Sequence, residues 1–137
     1  MPYEIIDHTA DTGIRVWADT PIRLFAEACR AMFELITDNS RVAPVKNRNL
    51  SVEGIDQTDL LVNWLRELLL LWSADQELVA SVQIFELSET NLRARVRTQP
   101  FDPENHVIYT DIKAVTYHRA EIATGNGHWE TRVIFDI

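Results

Sequence analysis

The sequence is poor in several residue types, and each shortage narrows what it can be. Its 137 residues include one cysteine, Cys29, four glycines and five prolines. A single cysteine excludes an intrachain disulfide and any multi-cysteine zinc or iron–sulfur site, and it fits a cytoplasmic setting. So few Gly and Pro leave little room for a flexible linker or a low-complexity tail. Lysine occurs only as Lys46 and Lys113. No apolar run reaches the roughly 20 residues of a membrane span, so no membrane partner is expected. The opening Met1-Pro2-Tyr3-Glu4 lacks a basic region followed by an apolar stretch, so no signal peptide is expected. Positive charge is also short: 13 Lys and Arg stand against 21 Asp and Glu, a net charge of −8. That balance argues against a uniformly basic nucleic-acid binder, and direct nucleic-acid binding is not expected. Neither a P-loop nor the G-x-G-x-x-G, G-x-S-x-G or H-E-x-x-H motif is present, so no self-sufficient enzyme is evident.

What is present suits one globular domain over residues 1–137. The hydrophobic fraction is 46% and the charged fraction 25%. A chain of this length buries about two-thirds of its unfolded surface and needs no metal or disulfide to fold. Residues 3–7 and 12–18 read as strands, the second with Ile14, Val16 and Ala18 on one face. Thr20-Pro21 supplies an N-cap and a first-turn proline for a helix over about 21–37, with Ile22, Phe25, Cys29, Met32, Phe33 and Ile36 on its apolar side. Cys29 is therefore a core residue. A strand at 48–55 carries Leu50, Val52 and Gly54 inward. Asp56 caps a second helix running to about residue 75. Its stripe of Leu61, Trp64, Leu65, Leu68, Leu69 and Trp72 is widened by Leu60, Leu70 and Leu71, the pattern of a helix covered on more than one side. Strands follow at 79–87, 92–98 and 107–118. A hairpin then joins 119–124 to 128–136 through Gly125-Asn126-Gly127. The expected class is α+β: two helices packed against mixed, largely antiparallel sheet.

The densest polar cluster is Asp7-His8-Thr9-Ala10-Asp11, between the first two strands. Turn chemistry alone accounts for such a cluster. The functional alternative is a metal or phosphate site, with Asp supplying hard oxygen and His a ligand or its support. The other end of the chain offers further oxygen. Asp136 and the α-carboxylate of Ile137 follow an apolar strand directly, and adjacent carboxylates repel unless a cation stands between them. Three oxygen donors including Asp11 would favour Ca²⁺, Mg²⁺ or Mn²⁺. The plain alternative is a tail projecting into water. Arg93, Arg95 and Arg97 lie on one strand face, either as a phosphate-binding stripe or as a solvated face paired with acidic neighbours such as Glu86 and Asp111. Lys113 is either a partner or nucleotide contact or an edge-strand charge. His118 and His128 flank the hairpin strands without a ligand partner at helical spacing.

Three stretches together resemble the archease family: Asp7-His8-Thr9-Ala10-Asp11, Asp111-Ile112-Lys113-Ala114-Val115-Thr116-Tyr117-His118, and Arg132-Val133-Ile134-Phe135-Asp136-Ile137. Trp64-Leu65-Arg66-Glu67-Leu68-Leu69 fits as well, and the resemblance spans essentially the whole chain. It implies a layered β-α-β packing and an accessory protein rather than a stand-alone catalyst. The implied partner is the tRNA-splicing RNA ligase, which joins a cyclic-phosphate or phosphate end to a 5′-hydroxyl end. The accessory protein would promote guanylylation of the ligase's active-site histidine, allow multiple turnover and broaden nucleotide choice. An older assignment within the family is a chaperone-like partner of a tRNA methyltransferase. The resemblance places a metal site, usually Ca²⁺, at Asp11, Asp136 and the C-terminal carboxylate of Ile137. It makes Asp7, His8 and Lys113 supporting or partner-binding residues. Two other classes compete: a binding module acting through apolar surface such as Trp17 or Phe101, and a small metal-dependent enzyme.

Overall fold

Two β-sheets enclose a pair of helices. The computed structural model describes residues 2–7 and 11–137. In chain order the elements are β1 (Tyr3–Asp7), β2 (Asp11–Ala18), α1 (Pro21–Ile36), a 3₁₀ turn at Asn39–Arg41, β3 (Lys46–Glu53), α2 (Gln57–Ser73), β4 (Glu77–Leu87), β5 (Asn91–Pro100), β6 (Ala114–Val115), β7 (Glu121–Gly125) and β8 (His128–Asp136). One sheet runs β1-β2-β8-β6, with β7 also paired to β8, and the other runs β3-β5-β4. Every strand pairing among the described residues is antiparallel. Both helices pack on both sheets, α1 against β2, β8 and β4 and α2 against β3, β4, β5, β6 and β7. The layered α+β packing that the broad apolar girth of α2 implied is thus realised.

Local sequence sets each helix. The Thr20 hydroxyl accepts the Arg23 amide proton at 3.2 Å, and Pro21 occupies the first turn of α1. Asp56 accepts the Asp59 amide proton at 2.8 Å and starts α2. The predicted stripes are buried except at two positions: Ile22 and Leu70 are 45% and 51% exposed. Leu70 lies on the narrow arc of α2 that neither sheet covers, so that helix is wrapped over most of its circumference but not all of it. Cys29 is buried, and the loss of solvent pushes its thiol up to about 12, so it is an inert core residue. The Asn126-Gly127 turn takes φ of 52° and 75°, the left-handed pair that a two-residue hairpin requires. Gly54 falls just beyond β3 instead of inside it. A Cβ there would lie 2.5 Å from the Leu60 amide nitrogen.

One expected element is corrected. Residues 107–118 are not a long strand; only Ala114–Val115 pairs as β6. The backbone of this segment has successive partners on different elements. Thr37 at the end of α1 donates its hydroxyl to the Val107 carbonyl at 2.7 Å, and the Tyr109 amide donates to the Ile36 carbonyl at 2.7 Å. Further on, the Lys113 and Thr116 amides reach the Asp136 and Ile134 carbonyls of β8. A segment that crosses from a helix end to a sheet edge cannot keep one ladder.

The second sheet is tied together beneath its face by a buried carboxylate. Glu77 at the start of β4 accepts two hydrogen bonds from the Arg48 guanidinium of β3 and one from the Thr98 hydroxyl of β5 at 2.6 Å. The Arg48 hydrogen bond outweighs burial and draws the Glu77 pKa down from 4.5 to about 2. At about 1.4 kcal/mol per unit this corresponds to about 3 kcal/mol. The Arg48 side chain is 41% exposed, and screening there reduces the figure to about 2 kcal/mol. A depressed carboxylate pKa stabilises the fold fully above the unfolded value and loses that contribution as pH falls toward the folded value. Glu77→Gln should therefore unfold more easily at neutral pH. Its urea midpoint should also lack the part of the wild-type decline that falls between about pH 5 and pH 2.

Candidate metal and partner site

The strand order β1-β2-β8-β6 brings the three motifs of the sequence to one end of one sheet. Asp11 opens β2 directly opposite Asp136 on β8, and Asp136 is flanked on its other side by Ala114 of β6. The Lys113 amide donates to the Asp136 carbonyl at 2.8 Å. The alternation of the strands decides which side chains share the outer surface. Thr12, Ile14 and Val16 are buried toward the helices, as are Thr131, Val133 and Phe135. Asp11, Gly13, Arg15 and Trp17 therefore point outward, together with Asp136, Ile134, Arg132 and Glu130. Gly13 belongs there because the Ile134 side chain lies over it; a Cβ would sit 2.8 Å from Ile134 Cδ1 and 2.7 Å from the Val133 carbonyl oxygen.

Helix α2 holds the β6 side of this site in place. Arg66 donates two hydrogen bonds to the Val115 carbonyl, at 3.1 and 3.2 Å, and its guanidinium lies 4.6 Å over the Tyr117 ring. The Tyr117 hydroxyl donates to the Asp59 carboxylate, which holds that carboxyl below its ordinary range and raises the phenol. The Arg66 of the Trp64–Leu69 stretch thus acts on the position of the Lys113 segment.

The electrostatics of the carboxylate pair are unbalanced. Asp11 Oδ1 is buried and has no hydrogen-bond partner. Like charges directly opposite on neighbouring strands destabilise a sheet, and a buried carboxylate oxygen without a partner adds a desolvation cost. Cations are close by without resolving this. Asp11 lines a shallow cleft of about 210 Å³ with Ile6, His118, Arg119, Arg132 and Ile134, yet none of those three basic side chains forms an ion pair with it. Arg15, the other basic residue on this face, is engaged elsewhere. It holds both Glu130 oxygens, at 2.9 and 3.0 Å, and Glu4 at 3.5 Å. The Arg15 hydrogen bond keeps the Glu130 carboxyl below its ordinary range.

The expected site residues fall into place unevenly. Asp11 and Asp136 are brought together, and the exposed Ile137 carries the terminal carboxylate one residue beyond. Lys113 is exposed at the same end of the sheet, and its side chain makes no ion pair with Asp111. Asp7 ends β1 opposite Thr12, next to this end of the sheet. His8 lies outside the described residues. Among the described residues no three His, Cys, Asp or Glu side chains are grouped to hold a metal. The residues that would hold a cation at this end, Asp11, Asp136 and the Ile137 carboxylate, offer only hard oxygen, and Asp11 Oδ1 is buried without a partner. That chemistry fits a cation such as Ca²⁺ and does not suit a soft metal. His128 lies 3.8 Å from Glu130, away from the carboxylate pair. Trp17 is half-buried beneath Arg15, and Phe101 packs edge-on against Trp72 at 5.5 Å, so Phe101 is joined to the core.

Arg119 and Arg132 are the site residues that sequence reasoning missed. A signal for them existed in the hairpin. A two-residue Asn-Gly loop fixes its own register, which sets Glu121 opposite Arg132 and leaves Arg119 just before the same strand.

The chain matches the archease protein family model over residues 3–137. It is 39% identical over 140 residues to protein archease of Methanopyrus kandleri, covering all of both chains. It is 34% identical to protein archease of Methanosarcina mazei, covering 98% of this chain and 95% of the other. The solution structure of protein 1598 of Methanobacterium thermoautotrophicum superposes with a TM-score of 0.82 at 32% identity, covering 99% of each chain. A Thermotoga maritima crystal structure, described as an archease and possible chaperone, shares the fold with a TM-score of 0.67 at 20% identity, covering 96% of this chain and 94% of that one. With the family model spanning nearly every residue and close relatives matching end to end, this chain belongs to the archease family.

Proposed function

We propose that this chain is an accessory activator of the tRNA-splicing RNA ligase, acting through a cation held by Asp11, Asp136 and the Ile137 carboxylate. It promotes guanylylation of the ligase's active-site histidine, supports multiple turnover and broadens nucleotide choice. The observation that carries this reading is the cross-strand pair Asp11 and Asp136, with Asp11 Oδ1 buried and unpartnered at the end where all three family motifs meet. A folded protein keeps such a costly arrangement where a ligand or partner completes it. A divalent cation bound there neutralises the paired carboxylates and supplies a positive centre for phosphate oxygens. The chain's own residues do the rest. β2 and β8 fix the separation of the carboxylates, Gly13 admits the Ile134 side chain beside them, and Arg66 secures the segment bearing Lys113. The net charge of −8 favours a basic, RNA-handling enzyme as partner, chiefly through association rate and specificity.

The competing role, a chaperone-like partner of a tRNA methyltransferase, draws on the exposed apolar pair Val107 and Tyr109. Ligation assays separate the two. Purified cognate ligase should show faster guanylylation and multiple turnovers when the chain is added. A cognate ligase that gains neither, with this chain folded and Ca²⁺ or Mn²⁺ supplied, would sink the activator reading and leave the chaperone role.

A further inference from the structure

The geometry points to a second, separate surface: the exposed face of β3-β5-β4 as a docking site for single-stranded RNA. The central strand β5 presents Arg93, Arg95 and Arg97 on that face, and all three are exposed. They stand two residues apart, roughly 6.6 Å along the strand, a spacing that an extended phosphodiester chain can follow. The expectation that acidic neighbours neutralise this stripe holds at one position only. Arg93 lies 3.9 Å from Glu86, whereas Asp111 sits on the segment leading to β6, outside this sheet. Arg95 instead bonds the Asn49 side chain at 3.3 Å, and Arg97 the Pro44 carbonyl at 3.4 Å. Neither contact cancels a charge. Arg95 and Arg97 thus hold unneutralised positive charge on one flat face of a protein whose net charge is −8.

The surroundings favour nucleic acid over an acidic protein segment. Phe85 is 54% exposed beside the stripe, with the Arg95 guanidinium 5.5 Å from its ring centroid. An exposed ring next to an arginine is a stacking platform for a base. Two shallow hollows of about 270 and 320 Å³ meet at Arg95, the first edged by Phe85, Asn49 and Ser51 and the second by Asn47 and Gln83. Their amide and hydroxyl groups can bond base edges or ribose hydroxyls. The helices cover only the other side of this sheet, which leaves the face open. Net charge gave the opposite expectation because it averages over a surface on which charges are segregated.

The test uses the full chain and a fluorescein-labelled single-stranded oligouridylate, with binding read by anisotropy over a salt series. Two phosphate contacts, at the unneutralised Arg95 and Arg97, predict a slope of log K against log salt of about −1.4. The Arg95→Ala, Arg97→Ala double variant should bind at least tenfold more weakly, with a slope close to zero. Phe85→Ala should weaken binding about fivefold through lost stacking. The Arg23→Ala, Arg30→Ala double variant, an equal change of charge on the exposed side of α1, should match the wild type. Circular dichroism confirms that each variant is folded. No binding at about 50 mM salt, or binding indifferent to the β5 arginines, overturns the proposal. Displacement of the RNA by polyglutamate at equal charge concentration overturns it in favour of an acidic protein segment. No ligase is present, so a negative result here leaves the activator reading standing.

Discussion

Asp11→Ala is expected to abolish stimulation of the ligase while leaving the fold intact. The sign of its effect on stability is informative in itself. Most substitutions at half-buried positions destabilise. Here the lost group has a buried oxygen with no partner, and it faces Asp136 directly across the strand pair. Without a divalent cation, removing it relieves repulsion and desolvation, so the thermal midpoint should hold or rise slightly. With Ca²⁺ the order reverses. A ligand that binds only the folded state stabilises by about 2.7 kcal/mol at a hundredfold excess over Kd. For a domain of this size that corresponds to a rise of roughly 8 °C in the wild type. Asp11→Ala should show almost none of this rise, and Asp136→Ala should behave alike. Asp11→Asn separates charge from shape: it keeps the size and one carbonyl oxygen but removes the charge, and should lose most of the Ca²⁺ response as well. Full ligase activation by folded Asp11→Ala would refute the carboxylate mechanism. A wild type whose midpoint ignores Ca²⁺, Mg²⁺ and Mn²⁺ alike would make the pair structural.

How much of this was legible from residues alone depended on whether the signal was local. The Thr20-Pro21 start, the Asp56 cap and the Asn126-Gly127 hairpin are short-range features, and the structure places each where the sequence puts it. The girth of apolar residues on α2 announced burial from two sides without saying which sheets supplied it. The segment 107–118 was misread because alternation reports which side of a chain is buried. It does not report whether the backbone partners belong to one ladder, and here they are shared between α1 and β8. Net charge concealed the uneven distribution of arginine, since the register between β5 and its neighbours decides which acid reaches which base. The candidate site divides in the same way. Asp11 and Asp136 carried a chemical argument as separate carboxylates, but their juxtaposition is a property of strand order, and 124 residues of chain lie between them in sequence. The unpartnered Asp11 oxygen and the neighbouring Arg119 and Arg132 emerge only from the assembled sheet.

The largest stability effect is expected at Trp64. The side chain is fully buried in α2, the layer between the sheets, and its indole N–H donates to the Phe25 carbonyl of α1 at 3.0 Å. It therefore fills the seam between the helices and also fastens one to the other. Trp64→Ala should cost about 3–5 kcal/mol, from lost apolar burial and a cavity that two flanking sheets prevent from collapsing. Against a total stability of about 5–15 kcal/mol, that is a large fraction. The midpoint should fall by roughly 10 °C or more. Trp64→Phe isolates the smaller component. It keeps most of the packing and gives up the hydrogen bond, while the Phe25 carbonyl retains its place in the α1 ladder, so a loss of about 1–2 kcal/mol is expected. The functional consequence follows from position on the helix. Asp59 and Arg66, on the turns around Trp64, hold Tyr117 and Val115, and through them the segment bearing Lys113. Trp64→Ala at a temperature where it is still folded should therefore respond to Ca²⁺ but activate the ligase poorly, because Asp11 and Asp136 sit on β2 and β8 while Lys113 depends on α2. Loss of the Ca²⁺ response together with activation would show instead that the carboxylate pair, too, depends on the helix layer.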